Sequence, residues 1–501
     1  MTRALFSTTA LALVFTTSGA MADVTPEEVW ESWQALSTSA GQEMTVGGTA
    51  KTGDTLEVTG IVVTHTDDMG GSFSATIDKM AFKDNGDGTV AVTMSDTYPL
   101  TLAFPQGSDG PSSMKLTVTQ PGLVVTAGGS ATETKYDFTA PTVAVTLNEV
   151  KDETGTVLDT KADLVVTDAT STYLVKRDGD QTALDSSFAA KAMALNLSGN
   201  DAEGGSGTVT LSVTDLGGTT KGNFLGAEIM ANMATALNSG FTTDSAFSFG
   251  VFALNADITD ASGPVKLAGT ASGGGMVLAI DKSRINYGSN FNDLAITASG
   301  AEIPFPEVAI SLKEYAFNLM MPVSKSDAPQ DFSFLTKLVD FTVSEDVWGM
   351  VDPGAILSRE PASFVLDVKG QGFWKQDIMD PAVDLEQIEA PGELTALDLT
   401  QVLVKAAGTE IGATGALTFD NTDLVTFQGV PAPSGAINID IKGVSALIDN
   451  LIKLGIITDD DAMGARMMLG MFTRPGAEAD QVTSVIEFKD GGLFANGQQL
   501  Q

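Results

Sequence analysis

The spacing of apolar residues changes near the start of the chain, and that change sets the fold class. Val29, Trp33 and Leu36 share one face at helical spacing, with Trp30 alongside. Thr25 caps this helix, Pro26 suits its first turn, and Glu28 completes a Thr-x-x-Glu capping box. Glu27 and Glu28 also favour the positive end of the helix dipole. After this helix the period falls from 3.6 to 2. Phe73, Ala75 and Ile77 alternate with Ser74, Thr76 and Asp78, and Val90, Val92 and Met94 alternate with Ala91 and Thr93. The habit continues at Leu116 and Val118, at Val143, Val145 and Leu147, at Leu195 and Leu197, and at Val209, Leu211 and Val213. Thr, Val and Ser fill these runs while Gly, Asp and Asn punctuate them; Asn85-Gly86-Asp87-Gly88 has the composition of a hairpin turn. The pattern predicts on the order of 25 strands, mostly antiparallel with one wet face.

Helical spacing returns in a few places. Ile229, Met233 and Leu237 predict a helix from about Gly226 to Leu237, and Phe334 to Val339 a short one. Val444, Leu447, Ile448, Leu451 and Ile452 form a stripe that Gly455 can terminate. Thr458 then caps a second helix with Asp459, Asp460 and Asp461 in its first turn and Met463, Met467 and Met471 on its inner face. Ser484–Lys489 and Gly492–Asn496 read as a closing strand pair. The expected class is mainly β (β-rich α+β): a long antiparallel twisted sheet or two β-lobes, with a few capping helices that include a C-terminal helix pair. Gly71-Ser72-Phe73-Ser74-Ala75-Thr76-Ile77-Asp78-Lys79 echoes Gly274-Gly275-Met276-Val277-Leu278-Ala279-Ile280-Asp281-Lys282. That echo suggests one β-rich domain over 23–501 made of two diverged lobes, about 23–225 and 226–501, each opened by a helix.

The first 22 residues add a compartment. Arg3, the apolar run Ala10-Leu11-Ala12-Leu13-Val14-Phe15 and the exit Ala20-Met21-Ala22 make a secretory signal peptide, residues 1–22. The expected location is the periplasm, with release to the medium as the alternative. Beyond residue 22 no apolar run reaches the length of about 18 residues that a membrane-spanning helix needs. Charge and cysteine content narrow the partners further. With 27 Lys plus Arg against 64 Asp plus Glu, a net charge of -37 repels phosphate backbones and acidic headgroups, which argues against nucleic acid. The absence of cysteine excludes disulfides, thiolate metal sites and cysteine nucleophiles.

No residue set announces a reaction. The single histidine, His65, sits at a strand end, a poor setting for an imidazole base. One His and no Cys disfavour zinc or copper, and neither Asp84-Asn85-Asp87 nor Asp459–Asp461 has the spacing of a calcium loop. No metal and no cofactor is expected. Gly273-Gly274-Gly275 reads as a strand-edge turn rather than a phosphate loop. Carboxylate pairs are too many for sequence to choose among. Of the 19 methionines, Met230, Met233, Met320, Met321, Met463, Met467, Met468 and Met471 fall on apolar segments. Flexible thioethers suit irregular cores and also apolar grooves; Met233, Met467 and Met471 are the groove candidates.

From Val347 the chain reads Val347-Trp348-Gly349-Met350-Val351-Asp352-Pro353-Gly354-Ala355-Ile356-Leu357-Ser358-Arg359-Glu360-Pro361. Its Trp-x-x-x-Asp-Pro and Leu-x-Arg-x-Pro elements resemble the exported bacterial family known as domain of unknown function 2125. The start Asp23–Trp30, the segment Gly415–Asn421 and the helix pair ending at Arg474-Pro475-Gly476 are similar to it too. The resemblance implies an exported β-rich protein and carries no catalytic residues. Physically, Trp348 is expected to be buried, Asp352-Pro353-Gly354 to turn, and Arg359 to pair with a carboxylate; Trp348, Asp352 and Arg359 also form a candidate partner motif. The leading function is non-catalytic binding or envelope maintenance, with a lipid or other hydrophobic ligand or an envelope protein as partner. A carboxylate-based hydrolase and a secreted scaffold or adhesin are the alternatives.

Overall fold

In the computed structural model the protein is mainly β, with long antiparallel ladders. Residues 24–39, 41–67, 70–105, 112–130, 132–178, 181–201, 204–388 and 390–500 are described, so the signal-peptide reading of 1–22 lies outside them. The chain divides into two compact units. One takes residues up to Met230 with Thr243–Ala268 and Gly300–Glu302, and the other takes Ala231–Thr242, Gly269–Ser299 and Ile303–Gln501.

The first unit opens with α1 (Pro26–Ser39), capped as expected: Thr25 N donates to Glu28 Oε2 at 2.9 Å and Glu28 N to Thr25 Oγ1 at 3.3 Å. β1 (Glu43–Thr45) and β2 (Gly48–Thr52) lie end to end on β3 (Thr55–Thr66), which pairs with β4 (Ser72–Asp84). The ladder then forks. The two ends of β4 take β5 (Thr89–Met94) and β6 (Thr97–Ala103), and these pair with β8 (Val124–Gly129) and β7 (Ser113–Thr119) respectively. Both arms rejoin on β9 (Glu133–Lys151), and β10 (Asp159–Asp178), β11 (Gln181–Asn200) and β12 (Ser206–Phe224) follow. The halves of β12 carry β13 (Thr243–Phe249) and β14 (Phe252–Asp260). The core lies under α1: Val29 and Trp30 pack on Leu56, Val58, Ile61, Phe82, Val90, Val92 and Val125.

β9 to β12 are 19 or 20 residues long, and their ladders are interrupted together. Pro141, Asp168, Lys191 and Asp215 occupy one transverse row of the register. Asp168 (φ 48°) and Asp215 (φ 51°) adopt the left-handed conformation that Asp tolerates better than β-branched residues. Lys191, between them, reaches Asp168 at 3.8 Å.

A short helix α2 (Ala227–Met230) precedes the second unit's α3 (Met233–Asn238). The single helix expected over 226–237 is therefore broken, and Asn232 caps its second piece. β15 (Gly263–Ala271) leads to the second unit's sheet. It runs through β16 (Gly273–Ile280), β17 (Ile285–Gly300), β18 (Val308–Met321) and β19 (Gln330–Val343). After α4 (Glu345–Val351) it continues with β20 (Ala362–Trp374), β21 (Gly392–Ala406), β22 (Thr409–Asp420) and β23 (Ala432–Lys442). The helix pair α5 (Val444–Lys453) and α6 (Asp459–Phe472) intervenes, and β24 (Arg474–Pro475), β25 (Gln481–Lys489), β26 (Gly492–Ala495) and β27 (Gln498–Gln499) close the chain. Gly455 (φ 71°) ends α5, with its N–H on Ile452 O and the Ile456 N–H on Leu451 O. Thr458 and Asp461 cap α6 reciprocally.

Two expectations fail in this unit. Phe334–Val339 is strand, inside β19, because ladders on both edges satisfy its backbone and outweigh the helical spacing. Gly273–Gly275 begins β16 rather than forming a turn; the turn is at Asp281, whose Oδ1 accepts from Ser283 N and Arg284 N. The two echoing segments hold different positions in their strands. Ile77-Asp78-Lys79 lies inside β4, next to a fork, whereas Ile280 ends β16 and Asp281-Lys282 turns the chain. What recurs is the interrupted row: Asp293 (φ 48°), Lys313 and Asp340 (φ 54°) form the same Asp-Lys-Asp set across β17, β18 and β19, with Lys313 at 4.0 Å from Asp340.

The segment Gly415–Asn421 owes its first residue to a close approach. A Cβ on Gly415 would lie 2.4 Å from Ala436 O and 2.7 Å from Ile437 Cα, both backbone of β23. Gly415→Ala is expected to destabilise the second unit by about 1–3 kcal/mol in urea unfolding, the cost of overpacking where the neighbour cannot rotate away.

Candidate functional site

β9 to β12 build an open apolar trough of about 410 Å³. Phe138, Val143, Val166, Tyr173, Phe188, Met193 and Leu216 form its walls, and Ala140, Ala169, Ala189 and Ala190 leave room between them. The transverse register explains the shape. Phe138, Ser171, Phe188, Gly218 and Phe247 stand in one row over five strands, so large and small residues alternate across the sheet. Phe138 meets Tyr173 edge-on at 5.6 Å, and Phe188 stacks on Phe247 at 6.1 Å. Gly218 is what lets Phe188 lie down, since a Cβ there would stand 2.3 Å from its ring. Phe188 still leaves 44% of its surface to solvent. The described lining includes no carboxylate, lysine or histidine, and Tyr173 brings a phenol to it. The alternation of Val143 and of Val209–Val213 did locate these strands. The trough was missed because its signal lies across strands, in small residues placed between aromatic ones.

The three motif residues come together in the second unit. Asp352 is fully buried after α4 and closes the Asp352-Pro353-Gly354-Ala355 turn, its carbonyl accepting from Ala355 N at 3.1 Å. Its Oδ1 accepts from Ile356 N at 2.9 Å; its Oδ2 accepts from Leu357 N and from Arg359 Nη1, both at 2.7 Å. Arg359 Nη2 donates to the Asp352 carbonyl at 2.9 Å, Nε reaches Glu345 at 3.3 Å, and the guanidinium lies 4.6 Å over the Trp348 ring. Trp348 is half-buried, not buried as expected, because the guanidinium covers one face of its ring in place of a core. Burial would raise the Asp352 pKa; the hydrogen bonds from Ile356, Leu357 and Arg359, with the Arg359 charge, outweigh it and hold the carboxyl below its usual range. The set is a lock between α4 and β20. With its folded pKa depressed, Asp352 contributes fully above its unfolded pKa and loses that contribution as pH falls through the folded value. Asp352→Asn is expected to lower the second unit's stability at neutral pH and to narrow the gap to wild type in acid. A gap independent of pH would contradict this.

The methionines do not form one groove. Met233 packs in the core with Leu237, Ile280 and Val323. Met463, Met467 and Met471 face solvent, 67%, 65% and 58% exposed, so they do not line an inner face of α6. Ala462 is the buried residue of α6, with Ala465, Leu469 and Phe472 half-buried on its side; alanines permit closer packing than thioethers.

The remaining candidates are occupied by local structure. His65 Nδ1 lies 2.8 Å from Gly41 O, and its ring lies against Phe73. Asp84 accepts from Gly86 N at 2.7 Å, and Asp87 from Thr89 N and Oγ1, which holds its carboxyl below the usual range. Among the described residues no group of three or more His, Cys, Asp or Glu is placed to hold a metal ion. No described helix is long and apolar enough to cross a membrane.

No curated protein and no solved structure matches the chain. One family profile does, that of an uncharacterized protein conserved in bacteria (DUF2125), over residues 250–500. The match takes in the Trp348–Arg359 lock, Gly415 and the C-terminal helix pair, while the trough and α1 precede it. By that match over half its length, the chain belongs to the bacterial family of domain of unknown function 2125.

Proposed function

We propose that the protein is an exported, non-catalytic binding protein of the periplasm that holds an acyl chain or similar elongated apolar ligand in the β9–β12 trough. The observation that carries this reading is the trough itself: an open concave face walled by aromatic and aliphatic side chains, with alanines along its floor. Its volume falls within the roughly 300–1,000 Å³ of small-ligand sites. Export rests on the basic start, apolar run and Ala-x-Ala exit of residues 1–22.

Magnitude says what kind of binding to expect. Roughly ten methylenes, each half-covered at about 0.8 kcal/mol for full burial, gain about 4 kcal/mol. That corresponds to about millimolar affinity before any headgroup contact. Such a site exchanges its ligand rapidly, which suits a carrier better than a store. Titration of the mature protein with octanoate, followed by native mass spectrometry and by melting, tests the reading. A one-to-one adduct that saturates at about millimolar ligand, with a raised melting midpoint, is the expected result. No adduct and no change in melting would count against it.

A further inference from the structure

A second cavity, in the second unit, has the opposite chemistry. It measures about 430 Å³ and lies between the segment after α3, the β16–β17 turn and the chain from Ser324 to Gln330. Lys282 and Lys325 line it, and neither is ion-paired among the described residues, although many other lysines of this acidic protein are. The neighbouring carboxylates are already engaged. Asp281 accepts from Ser283 N, Ser283 Oγ and Arg284 N, and Asp377 accepts from Lys325 N at 2.7 Å and Asn238 Nδ2 at 3.4 Å. Ser326 Oγ donates to Ala328 O at 2.8 Å. The buried Ser324 side chain also lines the cavity, without a hydrogen-bond partner among the described residues. Lys282 and Lys325 outnumber the one lining carboxylate, Asp281, which Arg284 faces at 4.0 Å, so the recess is cationic on a chain of net charge -37.

We propose that this recess binds a phosphate monoester, free or as a lipid headgroup. Two point-charge ammoniums suit the nearly dianionic monoester better than a carboxylate or a phosphodiester, each of which carries one charge. The site is independent of the trough and stands or falls without it. Calorimetric titration of the full mature chain at low ionic strength, with inorganic phosphate and with glycerol 3-phosphate, tests it. Saturable binding is expected, weakened by at least about tenfold in the double variant Lys282→Gln, Lys325→Gln and unchanged in Lys369→Gln. Co-sedimentation with phosphatidylcholine vesicles, with and without phosphatidic acid, separates the sources: binding that needs phosphatidic acid and those lysines assigns a headgroup, and binding of free phosphate alone assigns a soluble ligand. Absence of saturable binding, or equal affinity in the double variant, overturns the proposal. If the double variant does not fold, acetylation of the wild-type protein decides: protection of Lys282 and Lys325 by phosphate supports the site, and unchanged labelling overturns it.

Discussion

Phe82→Ala is expected to destabilise the first unit by about 3–5 kcal/mol, the cost of removing a large buried ring and leaving a cavity behind. Phe82 has no exposed surface and sits on β4 between Leu56 of β3 and Val92 of β5. Its ring also meets Trp30 at 5.6 Å and Trp33 at 5.7 Å, so it fastens α1 to the sheet. Each partner is fixed by a ladder or by the capped helix, so the cavity collapses poorly. With two compact units, a single unfolding curve is not a single equilibrium. The four tryptophans resolve the difficulty. Trp30 and Trp33 belong to the first unit, Trp348 and Trp374 to the second. In a background where Trp348 and Trp374 are phenylalanine, urea unfolding followed by fluorescence reads the first unit. A loss below about 1 kcal/mol would mean that this core does not hold the unit together.

Ala190→Trp is expected to weaken acyl-chain binding by at least about tenfold while leaving the fold intact. Ala190 lies on β11 opposite Leu216 of β12 and lines the trough. An indole there occupies floor space that roughly a third of a bound chain needs. A third of about 4 kcal/mol is close to the 1.4 kcal/mol that corresponds to tenfold. The trough is open, so the new ring has solvent to expand into, and strain in the core is avoided. Far-UV circular dichroism and the melting midpoint should match wild type. Undiminished binding would place the ligand elsewhere.

Much of this architecture is legible along the chain. Thr25 and Glu28 announce α1; Asn85–Gly88 announces the β4–β5 turn; Thr458 and Gly455 mark the facing ends of the C-terminal helices. Each is a local signal, and each is met by the hydrogen bonds found. The misses are of another kind. Phe334–Val339 has helical spacing, and only the flanking strands decide otherwise. The stripe at Met463, Met467 and Met471 is at helical spacing too, but Ala462 shows which side packs, and hydropathy ranks alanine below methionine. The site was half legible. Trp348, Asp352 and Arg359 stand close in sequence, and their association could be read. The trough depends on Ser171 and Gly218 falling between Phe138, Phe188 and Phe247 across five strands, which no single segment records.

Photo-crosslinking tests the central claim most directly. A long-chain fatty acid carrying a diazirine near its terminal methyl, bound to the mature protein and irradiated, should label peptides from β9 to β12, with Phe138, Tyr173, Phe188 and Met193 nearest the adduct. Ala190→Trp should abolish that labelling. Labels that fall mainly on the exposed methionines of α6, or that are spread evenly over both units, would contradict the account.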